Sequence, residues 1–275
     1  MSGSQPIGVF DSGVGGLSVL RAIRAELPNE HLIYVADSGH APYGDRSADF
    51  IERRAGAITA FLRRQQAKAV VVACNTVTGA AIESLRARHP LPIVAIEPAV
   101  KPAAAATLSG VIGVLATSVT LSSANFARLV ERFAHGTHVV TQPCPGLVEQ
   151  VEQGDLESAA TRALVRRYLA PLLEQGADTV VLGCTHYAFL RPVIEALAGP
   201  GVAIIDPAAP VARELRRRLT DLDLLAPVGQ QGHVEFWSSG ALDVSKAVVG
   251  ALWAGATDVG ALPEPFASAT SDVGA

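Results

Sequence analysis

A chain of 275 residues is longer than one ordinary core serves and predicts two domains, each large enough to bury a sizeable interior. With 49% hydrophobic and 17% charged residues it has the usage of a folded enzyme with buried strands, which excludes wholesale disorder and small disulfide-stapled scaffolds. The net charge of -4 gives no footprint for nucleic acid, and the basic runs Arg53-Arg54, Arg63-Arg64 and Arg216-Arg217-Arg218 read as solvated helix faces.

In chain order, Met1 to Phe10 lacks the basic and apolar regions of a signal peptide. The three cysteines are odd in number and have no short pairing, so a reducing cytoplasm is expected. Four β-branched apolar runs follow, Ile7 to Phe10, Leu32 to Ala36, Ala69 to Ala73 and Ile93 to Ile96, with helical periodicity between them at Leu17 to Leu27 and Asp49 to Gln66. Pro102 to Ala127 is uncharged and long enough to cross a bilayer, but Thr107, Ser109, Gly110, Gly113, Thr117, Ser118, Thr120 and Asn125 interrupt it. It reads as a helix end, a buried strand and a polar loop, and no membrane partner is expected.

The four strand signatures then recur. Ile7-Gly8-Val9-Phe10 is echoed from Ile112, His31 to Asp37 loosely by Thr137 to Pro143, AKAVVVACNT from Ala67 by ADTVVLGCTH from Ala177, and Ile96-Glu97-Pro98-Ala99 by Ile205-Asp206-Pro207-Ala208. The offsets of the three close matches are 105, 110 and 109 residues. An ordered repeat of this kind predicts an α/β protein of two similar doubly wound parallel-sheet domains, related by a pseudo-twofold axis with the site in the cleft between them. The first domain is expected to hold residues 1–98 and 208–275 and the second residues 99–207. The returning part carries helix-like Ala208 to Leu219, strand-like Val234 to Trp237, helix-like Ala241 to Leu252 and a loose tail over 262–275.

Cys74 and Cys184 directly follow matching strands, where ligands of open parallel sheets bind. Two such domains facing each other place one thiol on each wall of a cleft. That arrangement suits stereochemical inversion at a carbon acid, in which a thiolate removes a proton from one face and a thiol returns one on the other. A following helix N-terminus is expected to lower the thiol pKa toward neutrality. Asn75, Thr76, Thr185 and the Asp11-Ser12-Gly13 turn supply donors for carboxylates, while Asp11 and Glu152 could hold an ammonium or relay protons, which together describe an amino acid. Lys68, Lys101 and Lys246 lack the setting of a pyridoxal lysine, so no cofactor is expected, and no metal.

As an ordered set, Gly8-Val9-Phe10-Asp11-Ser12-Gly13-Val14-Gly15-Gly16-Leu17, Pro42-Tyr43-Gly44, Cys74-Asn75-Thr76 and Gly183-Cys184-Thr185-His186-Tyr187 resemble the glutamate racemases, over about Ile7 to Pro207. The resemblance implies pyridoxal-independent isomerisation of glutamate, with Cys74 exchanging the proton of D-glutamate and Cys184 that of L-glutamate. Asp11 would assist Cys74, His186 would assist Cys184 and Glu152 would support the site. Substrate contacts would fall on Asp11, Ser12, Tyr43, Gly44, Asn75, Thr76, Thr117, Thr120, Thr185 and His186. It further implies provision of D-glutamate for peptidoglycan, hence cell-wall biogenesis and cell shape, in a bacterial cytoplasm. The sequence departs from that family at Val77-Thr78, at Ala188 and in the lead into Glu152, and Glu149 competes with Glu152 for its role.

Other readings stay beside this one. Either cysteine alone would read as an apolar filler, and Cys144, without a counterpart in the first half, is read as structural. Gly13-Val14-Gly15-Gly16 is read as a tight turn rather than a phosphate cradle, and Asp11 could merely cap the next helix. An aspartate racemase would share the two-thiol logic but resembles a Cys-Thr-Glu ending, where this chain has Cys184-Thr185-His186. A Cys-His hydrolase leaves one thiol superfluous. A non-catalytic amino-acid-binding regulator would keep the cleft without turnover. The oligomeric state is left open, with a homodimer as one expectation.

Overall fold

Buried β-branched runs form two sheets in the computed structural model, which describes residues 2–253 and 258–268. The first sheet contains β1 (Ile7–Asp11), β2 (Leu32–Ala36), β3 (Ala69–Val72), β4 (Ile93–Ala95), β9 (Val234–Ser238) and β10 (Val259–Ala261), in the order β10-β9-β2-β1-β3-β4. The second contains β5 (Val111–Ala116), β6 (His138–Pro143), β7 (Thr179–Leu182) and β8 (Ala203–Ile205), in the order β6-β5-β7-β8. Every pairing is parallel. Strands β1, β2 and β3 are buried along their whole length, as parallel strands covered on both faces must be.

The helices follow in chain order: α1 (Leu17–Glu26), α2 (Ala48–Arg64), α3 (Asn75–Arg88), α4 (Val100–Ala106), α5 (Ser118–Ser122), α6 (Ala124–Phe133), α7 (Leu147–Glu152), α8 (Ala159–Glu174), α9 (Arg191–Ala198), α10 (Ala208–Asp221) and α11 (Leu242–Trp253). Helix α10 returns to pack on α1, and β9 extends the first sheet beside β2. The two sheets' layers meet where α3 touches α5 and α6, and where α1 touches the 3-10 turn Thr185–Leu190.

The internal repeat is visible in the ladders. β1 sets Ile7 against Ala69 as β5 sets Ile112 against Thr179, at the offsets read from the sequence. The fourth pair is slipped by two residues: Val94 opposes Val71 and Ile205 opposes Val181, so Ile205 answers Val94 rather than Ile96. An even slip keeps each side chain on its face of the sheet and so costs no burial.

Three further expectations are corrected. The expected polar loop after β5 is helical, because Thr117 accepts from the Thr120 N–H to start α5 and Ser123 accepts from the Phe126 N–H to start α6. Residues 262–268 are not loose: Leu262 and Phe266 are buried, the Phe266 ring lies 5.6 Å from that of Phe61, and its carbonyl accepts from Arg54 at 2.9 Å; 269–275 lie outside the described residues. Arg54, read as part of a solvated face, is completely buried on α2. There its Nε and Nη2 grip the two oxygens of buried Asp37 at 2.9 and 2.7 Å, a paired state that allows a charge inside.

Candidate active site

Cys74 ends the β3 segment with extended backbone and caps α3, and Cys184 stands in the same way before the Thr185–Leu190 turn. Just before them, Ala73 is matched by Gly183, where a Cβ would come within 2.8 Å of Ala116 Cβ and 3.0 Å of the Leu115 carbonyl. Both thiols are free and buried, and both line one pocket. Ser12, Pro42, Tyr43, Gly44, Asn75, Thr76, Thr117, Val148, Thr185 and His186 complete its wall.

On the Cys184 side, the thiol lies 3.7 Å from His186 Nδ1, and His186 Nε2 meets Glu152 Oε1 at 2.6 Å. The Val14 N–H donates to the same oxygen at 2.7 Å and the Ser38 hydroxyl to Oε2 at 2.8 Å. Burial alone would push the imidazole down. The thiol, the Glu152 carboxylate and the Asp11 charge together hold it well above the ordinary histidine range. The imidazole thus stands between the Glu152 carboxylate and the Cys184 sulfur. Glu152, and not Glu149, is the carboxylate hydrogen-bonded to His186. Glu149 lines an adjoining pocket with Cys144, Asp45 and Ser118.

The glycines after β1 make this possible by their lack of a side chain, not by left-handed backbone. A Cβ on Gly13 would fall 1.8 Å from Glu152 Oε1, and one on Gly15 would fall 2.3 Å from His186 Nδ1.

On the Cys74 side, the thiol points to the Ser12 hydroxyl at 3.7 Å. Asp11 Oδ2 accepts from the Gly16 N–H at 2.8 Å, so Asp11 does hold the start of α1. Its other oxygen is buried with no partner among the described residues. Burial raises the Asp11 carboxyl against the pull of His186 and the Gly16 N–H. Burial, and then the Asp11 charge, push the Cys74 thiol far up despite the Val77 N–H and Ser12. The expected lowering by the helix N-terminus is overturned at Cys74: desolvation outweighs it and pushes the thiol up.

The Asn75 amide also has both its oxygen and nitrogen buried without partners among the described residues, although it lines the pocket. Unmet buried polar groups cost about 1–3 kcal/mol each, so at a pocket wall they mark where a polar ligand would bind. Thr76, Thr117 and Thr120 form a hydroxyl cluster, with Thr76 to Thr117 and Thr117 to Thr120 each at 2.9 Å. Thr120 and Asp11 stand one layer behind the wall that Thr76, Thr117 and Thr185 form. Tyr43 lines the pocket with its ring, while its hydroxyl donates to Asp37. Cys144 is buried, its thiol donating to the Gln142 carbonyl at 3.2 Å, and Tyr187 bonds its carbonyl. Among the described residues no group of three or more His, Cys, Asp and Glu side chains could hold a metal ion.

Sequence reasoning missed Pro42 and Val148 as wall residues, and Asp37 and Ser38 behind it. A signal for the last two exists: the tripeptide Asp-Ser-Gly closes β1 at Asp11 and recurs after β2 at Asp37.

A model of the family described as Asp/Glu/Hydantoin racemase matches residues 7–215. The glutamate racemase of Pseudomonas paraeruginosa is 55% identical over 260 residues, covering 94% of this chain and 98% of that protein. Among solved structures, glutamate racemase isoform RacE1 of Bacillus anthracis superposes with a TM-score of 0.87 at 31% identity, over 95% of this chain and 98% of that one. The Escherichia coli glutamate racemase, in complex with L-glutamate and the activator UDP-MurNAc-Ala, gives 0.81 at 31% identity over 94% and 98%. With the family model spanning both thiols and the relatives spanning nearly the whole chain, the protein belongs to the aspartate/glutamate racemase family.

Proposed function

We propose that this chain interconverts L- and D-glutamate by two-thiol proton transfer without a cofactor. The observation that carries the reading is the pair of buried free thiols on the wall of one pocket, each at the end of a repeated strand. The relatives' name supplies the amino acid, and the orphaned Asn75 amide with the hydroxyls of Ser12, Thr76, Thr117 and Thr185 supplies groups suited to two carboxylates. None of Lys68, Lys101 and Lys246 lines the pocket, so no lysine is placed for a Schiff base there.

In the L-to-D direction the Cys184 thiolate, paired with protonated His186, takes the α-proton and becomes a thiol. The electron pair left on the α-carbon takes the proton of the Cys74 thiol from the opposite face, leaving Cys74 as the thiolate. The raised Cys74 thiol suits this donor role. The D-to-L direction runs the same steps backward. Supply of D-glutamate for peptidoglycan in a bacterial cytoplasm is the role that goes with this reaction, and three free cysteines suit a reducing compartment.

The test uses L-glutamate in deuterium oxide with no pyridoxal phosphate. The α-proton should exchange while optical rotation decays to zero, and Cys74→Ser or Cys184→Ser should each lower the rate by at least about a hundredfold. Tight binding with unchanged rotation would point to a binding protein. Equal turnover of L-aspartate would displace glutamate as the specific substrate.

A further inference from the structure

Glu152 belongs to α7, beside the second sheet, yet two of its donors come from the first-sheet side: Val14, after β1, and Ser38, after β2. Its remaining partner, His186, follows β7 and faces Cys184. The carboxylate is therefore a clasp across the cleft. Its seat is built for it, since Gly13 has no side chain to block Oε1 and the Ser38 turn is itself anchored. Ser239 donates to the Ala36 carbonyl at 3.1 Å, and the Gly39 N–H donates to Ser239 Oγ at 3.1 Å.

We infer that Ser38 is a positioning residue for racemisation: by fixing Glu152 Oε2 across the cleft, it orients the carboxylate that holds His186 against Cys184. The inference rests on the two-thiol reading. A carboxylate held at one oxygen by Val14 and His186 alone keeps a torsional freedom that the Ser38 bond removes. His186 Nε2 must stay bonded to Glu152 for Nδ1 to face the sulfur. The link also makes the Cys184 side complete only when the two walls are together, whereas Cys74, Ser12 and Asp11 all belong to the first-sheet side.

Ser38→Ala in the full chain tests this. The loss of one hydrogen bond to a charged group should lower kcat/KM by roughly tenfold. The loss must be equal for L- and D-glutamate, because the two enantiomers have equal free energy. The discriminating readout is the isotope effect on kcat/KM. With L-glutamate deuterated at the α-carbon it should rise, because transfer to Cys184 becomes more limiting, and with D-glutamate so deuterated it should fall. Ser38→Thr, which keeps the hydroxyl, should restore both values. Wild-type kcat/KM in Ser38→Ala, or a loss with both isotope effects unchanged, would overturn the role. Full racemisation by Cys184→Ser would instead overturn the two-thiol reading, so the two failures are distinguishable.

Discussion

Asp37 shows how one residue can bind distant parts of the site's support. Burial pushes its carboxyl up, but the hydrogen bonds from His40 and Arg54 and the Arg54 charge prevail and hold it down at about 2, against an ordinary 3.8. Its folded pKa is depressed, so its contribution is fully present above pH 4 and is lost as pH falls through about 2. Such a shift corresponds to about 2 kcal/mol. Folding free energy measured by urea denaturation should accordingly decline between pH 4 and 2, and the part due to Asp37 should be missing from the acid limb of Asp37→Asn. That variant should also be less stable at pH 7 by about 3–5 kcal/mol, since Arg54 would remain buried without its charge partner. An unchanged acid limb in Asp37→Asn would mean that other carboxylates set it. The Asn75 side-chain amide, by contrast, has no hydrogen-bond partner among the described residues. Asn75→Ala should therefore raise KM for glutamate by at least about tenfold, with little change in melting temperature.

At the scale of elements, the segment after β10 closes the first sheet's outer layer. Phe266 packs on Phe61, with the Arg64 guanidinium 5.0 Å from its ring centre, and its carbonyl holds Arg54. Phe266→Ala should cost about 3 kcal/mol, or roughly 6–12 °C in Tm by calorimetry; a loose tail would show no change. The segment escaped the sequence reading because two buried anchors separated by Pro263 and Pro265 have no periodicity to detect. The parallel strands were legible for the opposite reason, since burial on both faces demands uninterrupted β-branched runs. β10, with only Val259, Gly260 and Ala261, was too short to register. The thiols were legible because each half repeats the other. Asp37 and Ser38 were not, for by ladder register Asp37 answers Cys144, whose half keeps the backbone bond to the preceding strand but not the side chain. A repeat reveals what both copies retain and conceals what only one acquired.

For the whole molecule, the decisive property is that the pocket has walls from both sheets' layers: Ser12, Cys74, Asn75 and Thr76 from one, Thr117, Cys184, Thr185 and His186 from the other. Outside the pocket these layers touch through α3 with α5 and α6 and through α1 with the Thr185–Leu190 turn, while Glu152 clasps them at the site. A ligand gripping both walls adds a further cross-link, so its binding energy opposes separation of the halves as well as unfolding of either. At a hundred times its Kd, D-glutamate should raise the unfolding free energy by about 2.7 kcal/mol. The location of that gain distinguishes a shared site from a one-sided one. In hydrogen exchange followed by mass spectrometry, peptides spanning 72–79 and 183–190 should slow together on addition of D-glutamate, because neither wall can open while the ligand joins them. Protection confined to 72–79 would place the ligand on one wall alone, leaving Cys184 no part in proton transfer.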